Sequence, residues 1–457
     1  MTIDPLPGTP SLETDMAFLL PNDPASSDVT AARPTLWLNP LYRKGAIEEP
    51  SLPVRTRDVE AARANWQRLA PLLETCFPEL AATGGVISSE LVELAGLREA
   101  LGYGGAEFGN VFVKADDSLP VAGSIKARGG VYEVFVFAEE LARREGLLKD
   151  GQDIRRLAGT EAKAFFSRHT IAVGSTGNLG LSVGVAARAL GFNATVHMSS
   201  DAKAWKVERL RKLGVNVVRH DADYTAAVET ARIAAEADPT IYFVDDEQSR
   251  QLFLGYSVAA MELAAQLGDR GIAVDAEHPL FLYLPCGIGG APGGVTYGAK
   301  AVFGNDVHCF FVEPVQSPCA LVHMMSGSSE LVSVYDVGLT NKTEADGMAV
   351  ARMSAFVATM MKNMLAGVFT VDDGSLFRWL LLAHETQGIR LEPSATAGFA
   401  GPDFIVRHPR GQEFRDRQKI GGFLAQATHV IWTTGGSFVP QRQFEDFLKT
   451  AAAGRQA

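Results

Sequence analysis

Lys126 lies in Gly123-Ser124-Ile125-Lys126-Ala127-Arg128-Gly129-Gly130, among small and apolar neighbours. Such a setting suits a lysine that forms an imine, the neutral amine being the form that attacks a carbonyl carbon. A lysine taken at random is a solvated surface charge, so the surrounding sequence carries this reading more than the residue type does. Arg128 reads as a structural ion-pair residue.

Two loops add anion-binding chemistry. Gly287-Ile288-Gly289-Gly290-Ala291-Pro292-Gly293-Gly294 follows an apolar run and precedes a helical one. Backbone N–H groups and a helix N-terminus converge on a phosphate in such a loop, with no side chains in the way. It lacks the Gly-Lys-Ser/Thr ending of a nucleotide P-loop and the spacing of a dinucleotide fingerprint. A tight turn without ligand is the plainer alternative. Ser175-Thr176-Gly177-Asn178 also opens a helix, where Ser, Thr and Asn satisfy free N–H groups, and such an N-terminus also stabilises a carboxylate. Thr433-Thr434-Gly435-Gly436-Ser437 follows the apolar run His429 to Trp432 and reads, seen alone, as a strand-to-turn junction.

The elements that must position these groups follow a regular alternation from His169 onward. Strands are predicted at Thr170 to Val173, Ala194 to Met198, Val215 to Arg219 and Ile241 to Val244, with helices at Leu179 to Leu190, Ala202 to Leu213 and about Tyr224 to Ala237. An apolar helix is predicted from about Leu252 to Leu267, then a strand at Phe281 to Leu284, the glycine loop, a helix to about Phe303 and a strand at Val307 to Val312. Such alternation predicts βαβ units and parallel sheets, in two open α/β halves with a site beyond the carboxyl ends of the strands. Residues 1–55, rich in Pro, Ser and Asp, read as an extension wrapping the body. Between about Ser326 and Asp373 the periodicity is too weak to assign elements.

Composition sets outer bounds. A chain of 457 residues exceeds what one core usually serves, which favours two domains. The net charge of −11 and the absence of a long basic run argue against a nucleic-acid partner. Cys76, Cys286, Cys309 and Cys319 are widely spaced and read as buried free thiols in a reducing compartment. The first 32 residues contain no Lys or Arg, and the apolar run Met16 to Leu20 is too short for a secretory signal. No segment approaches the roughly 18 apolar residues of a membrane span. A cytoplasmic protein without membrane contact is expected.

Taken together, in this order and at these separations, the lysine motif and the two loops resemble the fold-type-II pyridoxal-phosphate enzymes, whose architecture is tryptophan synthase β-like. Ser-x-Lys-x-Arg-Gly is the Schiff-base motif of that family. The segments Pro120 to Glu133, Asp245-Asp246-Glu247, Leu252-Phe253-Leu254-Gly255-Tyr256 and Glu344-Ala345-Asp346-Gly347 are most similar to the bacterial D-serine dehydratases. The resemblance runs from roughly residue 35 to 445.

The resemblance implies α,β-elimination of D-serine to pyruvate and ammonia, with pyridoxal 5′-phosphate held as an imine on Lys126. Gly287, Ile288, Gly289, Gly290 and Ala291 then bind its phosphate, Asn178 meets the 3′-oxygen and Thr434 stands beside the pyridine nitrogen. Ser175, Thr176, Gly177 and Asn178 cradle the substrate carboxylate. Lys126 and Thr176 lie near Cα, and Asp246 either assists the leaving hydroxyl or serves as a structural carboxylate. Ala291 stands in a loop that is often more uniformly glycine. A monovalent cation (K+ or Na+) at Glu313 and a monomeric state are also implied. The expected larger cofactor-binding domain comprises 56–130 and 271–457, with 131–270 as the smaller. An L-serine/threonine dehydratase, a serine racemase and a non-catalytic cofactor-binding protein share these cofactor motifs and stay open alternatives.

Overall fold

The computed structural model describes residues 20–454 apart from 22, 94, 176, 200, 201 and 221–223. Eleven strands are described: β1 Leu36–Leu38, β2 Leu91–Glu93, β3 Asn110–Ala115, β4 Thr170–Gly174, β5 Asn193–Ser199, β6 Asn216–His220, β7 Ile241–Val244, β8 Leu280–Pro285, β9 Val307–Pro314, β10 Gly367–Val371 and β11 Thr428–Thr433. They form two sheets, one ordered β1-β10-β9-β8-β11-β3-β2 and the other β6-β5-β4-β7. The smaller sheet is parallel throughout. In the larger, five central strands are parallel and the two edge strands antiparallel.

Burial on both faces explains why β8, β9, β10 and β11 read as continuous apolar runs: every one of their residues is buried. Glycines end the connecting helices. Asn178–Leu190 stops at Gly191, whose φ of 94° closes the last turn in the left-handed region.

The predicted strands and helices between His169 and Val312 all form, with ends shifted by one to two residues, and one is divided. The apolar stretch expected as a single helix is two, Arg250–Ser257 and Ala259–Asp269. Ser257 Oγ donates to the Leu254 carbonyl at 2.7 Å, and the helix Gly290–Phe303 crosses so closely that a Cβ on Gly298 would lie 1.9 Å from the Ser257 carbonyl. Back-bonding of this kind bends a helix, and the crossing helix pins the bend.

The amino-terminal extension contributes an edge strand: β1 pairs with β10, Trp37 opposite Val368. Asn39 Nδ2 fastens it further by donating to the Lys362 and Leu365 carbonyls, each at 2.9 Å. In the weakly periodic stretch 326–373 the chain forms only a short 3-10 turn, the helix Ala355–Met361 and β10. No helix among the described residues is long and apolar enough to cross a membrane. All four cysteines are free, three buried and Cys76 half-buried, so the expectation of buried thiols holds for three.

Candidate active site

Strand order reverses once in each sheet, and the two reversals face one cavity. β4 is flanked by β5 and β7, and β8 by β9 and β11. The loops after β4 and β7 supply Ser175, Asn178 and Asp246, and those after β8 and β11 supply Gly287, Ile288 and Thr434. A crevice at such a switch point is where open α/β sheets place ligands. Lys126 lines the same cavity, so the sequence-distant groups singled out above converge.

Lys126 is held through its backbone. Its carbonyl accepts from Ser182 Oγ at 2.8 Å and from Gly130 N at 2.8 Å, where residues Ala127–Val131 form a wide π-type turn. Such turns concentrate at functional sites. Nζ stands 5.6 Å from the centroid of the Tyr256 ring. Upstream, Val121 has φ 74°, a sparsely populated conformation for a β-branched residue that the packed surroundings must enforce.

Arg128 anchors this segment from below, as an ion-pair residue should. Its guanidinium meets both oxygens of Asp116 at 2.7 Å and Glu262 at 2.8 Å, while Lys114 also pairs with Glu262. Burial opposes ionisation of Glu262, but Arg128 and Lys114 together bring it down to about 2. Trp432 Nε1 donates to Asp116 at 2.8 Å, tying β11 to the network.

In the loop after β4, Ser175 Oγ accepts from Gly177 N at 3.0 Å and Gly180 N at 2.9 Å, the capping role expected of this segment. Thr176 lies outside the described residues. Asn178 is the first residue of its helix and lines the cavity, its Nδ2 donating to Glu392 Oε1 at 2.7 Å.

The glycine loop divides into two functions. Gly287, Ile288, Gly289 and Ala291 line the cavity, and Gly289 has φ 108° at the start of the helix Gly290–Phe303. At Gly290 an added Cβ would meet nothing closer than Asp246 Oδ1 at 3.4 Å, so the helix N-terminus opens toward the cavity. Gly294 instead serves helix packing, since a Cβ there would lie 2.4 Å from the Phe253 carbonyl. Ala291 falls inside the helix, where its methyl leaves the backbone donors of the preceding turn in place.

Asp246 lines the cavity wall half-buried, and its Oδ1, shielded from solvent, has no hydrogen-bond partner in the protein. Burial raises its pKa, partly countered by Lys126. Thr434 stands at the end of β11, its carbonyl accepting from Ile125 N at 2.9 Å. Glu313 lies apart, beneath the glycine loop. Its carboxylate accepts N–H bonds from Ala320 at 2.8 Å and Leu321 at 2.9 Å, and burial pushes its pKa up to about 8. Among the described residues, no group of three or more His, Cys, Asp or Glu side chains is arranged to hold a metal ion.

Sequence reasoning missed Glu392, which lines the cavity and accepts from Asn178; burial raises its pKa. Its only local signal is Glu392-Pro393-Ser394, a helix-start pattern with an ordinary structural reading. Lys206 and the Asp346 partner were likewise assigned no role. Asp246 Oδ1 in the cavity wall and the hydroxyl of Tyr256, whose ring lies beside Lys126 Nζ, are buried without hydrogen-bond partners. With the open helix N-terminus, they make a site whose donors and acceptors fit a phosphorylated aromatic aldehyde bound to Lys126.

This is the architecture of the fold-type-II enzymes that work with pyridoxal phosphate, and residues 82–421 match the family described as pyridoxal-phosphate dependent enzyme. The chain belongs to that family, and within it groups with proteins named probable D-serine dehydratase. It is 76% identical to the one from Sinorhizobium medicae over 96% of this chain and 100% of the relative, and 71% identical to the one from Rhizobium etli over 95% and 97%. In fold it is similar to the crystal structure of diaminopropionate ammonia lyase from Escherichia coli in complex with D-serine. That match has a TM-score of 0.69 and 18% identity, over 93% of this chain and 98% of the other.

Proposed function

We propose that the protein is a D-serine ammonia-lyase, converting D-serine to pyruvate and ammonia by α,β-elimination. The observation that carries this reading is the convergence of Lys126, the helix N-terminus at Asn178 and the glycine loop on one cavity, in a chain 76% identical to a probable D-serine dehydratase. Pyridoxal phosphate, when bound, supplies the electron sink that acidifies the Cα–H bond and lets the β-substituent depart.

The chain's own residues divide the remaining work. Lys126 Nζ would hold the cofactor covalently. The N–H groups of Gly287, Ile288, Gly289, Gly290 and Ala291 would hold its phosphate at a helix N-terminus, where an anion is stabilised. Asn178 would meet the ring oxygen. Ser175, Thr176, Gly177 and Asn178 are assigned to the substrate carboxylate, and Lys126 and Thr176 to the Cα proton. Asp246, whose pKa burial raises, is assigned to give a proton to the departing hydroxyl, which would leave as water. The dehydrated product hydrolyses to pyruvate and ammonia.

Thr434 is assigned to the pyridine nitrogen. A neutral hydroxyl there leaves that nitrogen largely unprotonated, which favours loss of a β-substituent over amino-group transfer. Thr434→Asp is expected to protonate the ring, move the visible absorption of the holoenzyme and slow pyruvate formation at least about tenfold. An unchanged spectrum with unchanged turnover would remove Thr434 from this position.

The same reading takes 56–130 with 271–457 as the larger cofactor-binding domain, 131–270 as the smaller, and the protein as a cytoplasmic monomer. It assigns K+ or Na+ to Glu313. Glu313 Oε1 and the Gly287 carbonyl both accept from Cys319 Sγ, at 3.5 Å and 3.2 Å.

A further inference from the structure

Lys206 stands in the helix Ala204–Lys212 with 2% of its surface exposed, and the mechanism above makes no use of it. A buried ammonium is costly unless paired. Its Nζ donates to Asp346 Oδ2 at 2.9 Å, and Asp346 immediately precedes Gly347 and Met348 of the cavity wall. Although burial opposes its charge, Asp346 and Glu392 hold its pKa above the ordinary lysine value. The pair therefore bridges the half built on the four-stranded sheet and the half built on the seven-stranded one.

On its other side Lys206 presses against the loop after β4. A Cβ on Gly177 would lie 2.4 Å from Lys206 Cδ and 2.8 Å from its Nζ. A side chain at Gly177 would therefore collide with the lysine stem, which favours glycine there. Covalent geometry then puts Nζ within roughly 5 Å of the Gly177 nitrogen, near enough for one carboxylate to touch both. Only one of the three donors of the ammonium is used by Asp346.

We propose that Lys206 is a positioning residue that reads the charge of the substrate carboxylate, with Asp346 holding the ammonium in place beside the loop. This rests on the assignment of Ser175 to Asn178 as the carboxylate cradle. An amino acid lacking a free carboxylate would meet a buried cation without a matching anion, which excludes amides and amino alcohols from a site that otherwise fits them.

The test is equilibrium binding to the holoenzyme, read from the cofactor's visible spectrum, of D-alanine and of D-alaninamide. The first keeps the carboxylate but has no β-hydroxyl to lose; the second is neutral at that position. Lys206→Met is expected to weaken D-alanine at least about tenfold, the scale of a buried charge-assisted hydrogen bond, and D-alaninamide by less than about threefold. Lys206→Gln, which keeps a donor without the charge, should do the same and serves if the methionine variant does not fold. Asp346→Asn retains the ammonium and removes a competing anion, so D-alanine should bind as tightly or more tightly while thermal stability falls. For D-serine turnover the lysine variants should raise KM more than they lower kcat. Parallel weakening of both ligands in the lysine and Asp346 variants would overturn the proposal and leave Lys206 as a tie between the two halves. Failure of the underlying cradle assignment looks different, because wild-type enzyme would then show no preference for D-alanine over its amide before any substitution.

Discussion

Lys126→Ala is expected to eliminate the imine absorption near about 410–420 nm and to reduce pyruvate formation from D-serine at least about 10³-fold. The size of the effect follows from the double duty proposed for Nζ, which would hold the cofactor and serve the Cα proton. The segment around Lys126 is supported independently of its side chain, by Ser182 on the backbone and by the Arg128–Asp116–Glu262 network beneath it, so the variant should remain folded. Borohydride reduction of the wild-type holoenzyme followed by peptide mapping provides the chemical counterpart. A pyridoxyl label is expected on the peptide containing Lys126, and a label on any other lysine contradicts the assignment.

Asp246→Asn is expected to slow elimination by about 10²-fold or more, the contribution of a positioned general acid. Burial raises the Asp246 pKa, so the proton-bearing form extends upward from the ordinary aspartate range. The wild-type kcat should therefore fall as pH rises through that raised value, and the asparagine variant should lack this limb. Stability follows the same sign. A folded-state pKa above the unfolded one means that the native protein binds the proton more tightly. Stability is accordingly undiminished below the unfolded value and is lost as pH rises to the folded one. Thermal midpoints measured against pH should fall less steeply for Asp246→Asn than for wild type. Identical kcat profiles would return Asp246 to a purely structural role.

The parts of this site legible in the sequence are those whose chemistry lies in one short segment. Lys126, the loop at Ser175 and the glycine loop each carry local signals, and the alternation of strands and helices places two of the three after strands. Glu392 was invisible because its significance comes from Asn178, 214 positions away, and a carboxylate at a helix start has an ordinary structural reading. Lys206 was equally hidden, since Ala204 to Lys212 reads as a charged helix face until the fold turns this one ammonium against Gly177. Pattern reading also gave all the glycines from Gly287 to Gly294 one purpose. Gly294 instead meets the Phe253 carbonyl of a crossing helix, a contact no linear pattern encodes. The same crossing explains the division of the helix expected at Leu252 to Leu267, which periodicity alone reads as continuous because both pieces keep their apolar faces.

Substrate hand is where the proposed function is most exposed. In the proposed function the loop at Ser175 to Asn178 and the glycine loop fix two points of the bound substrate and cofactor, and the groups assigned to Cα and Cβ, Lys126, Thr176 and Asp246, decide which enantiomer presents its Cα–H bond productively. Initial rates of pyruvate formation from D-serine and L-serine, measured side by side on the holoenzyme, test this most directly. A kcat/KM ratio of at least about 10² in favour of D-serine is expected, because misplacing the reacting bond by about 1 Å costs that much. Equal rates, or a preference for L-serine, would contradict the account and move the protein to the L-serine/threonine dehydratase or racemase branch of the same fold.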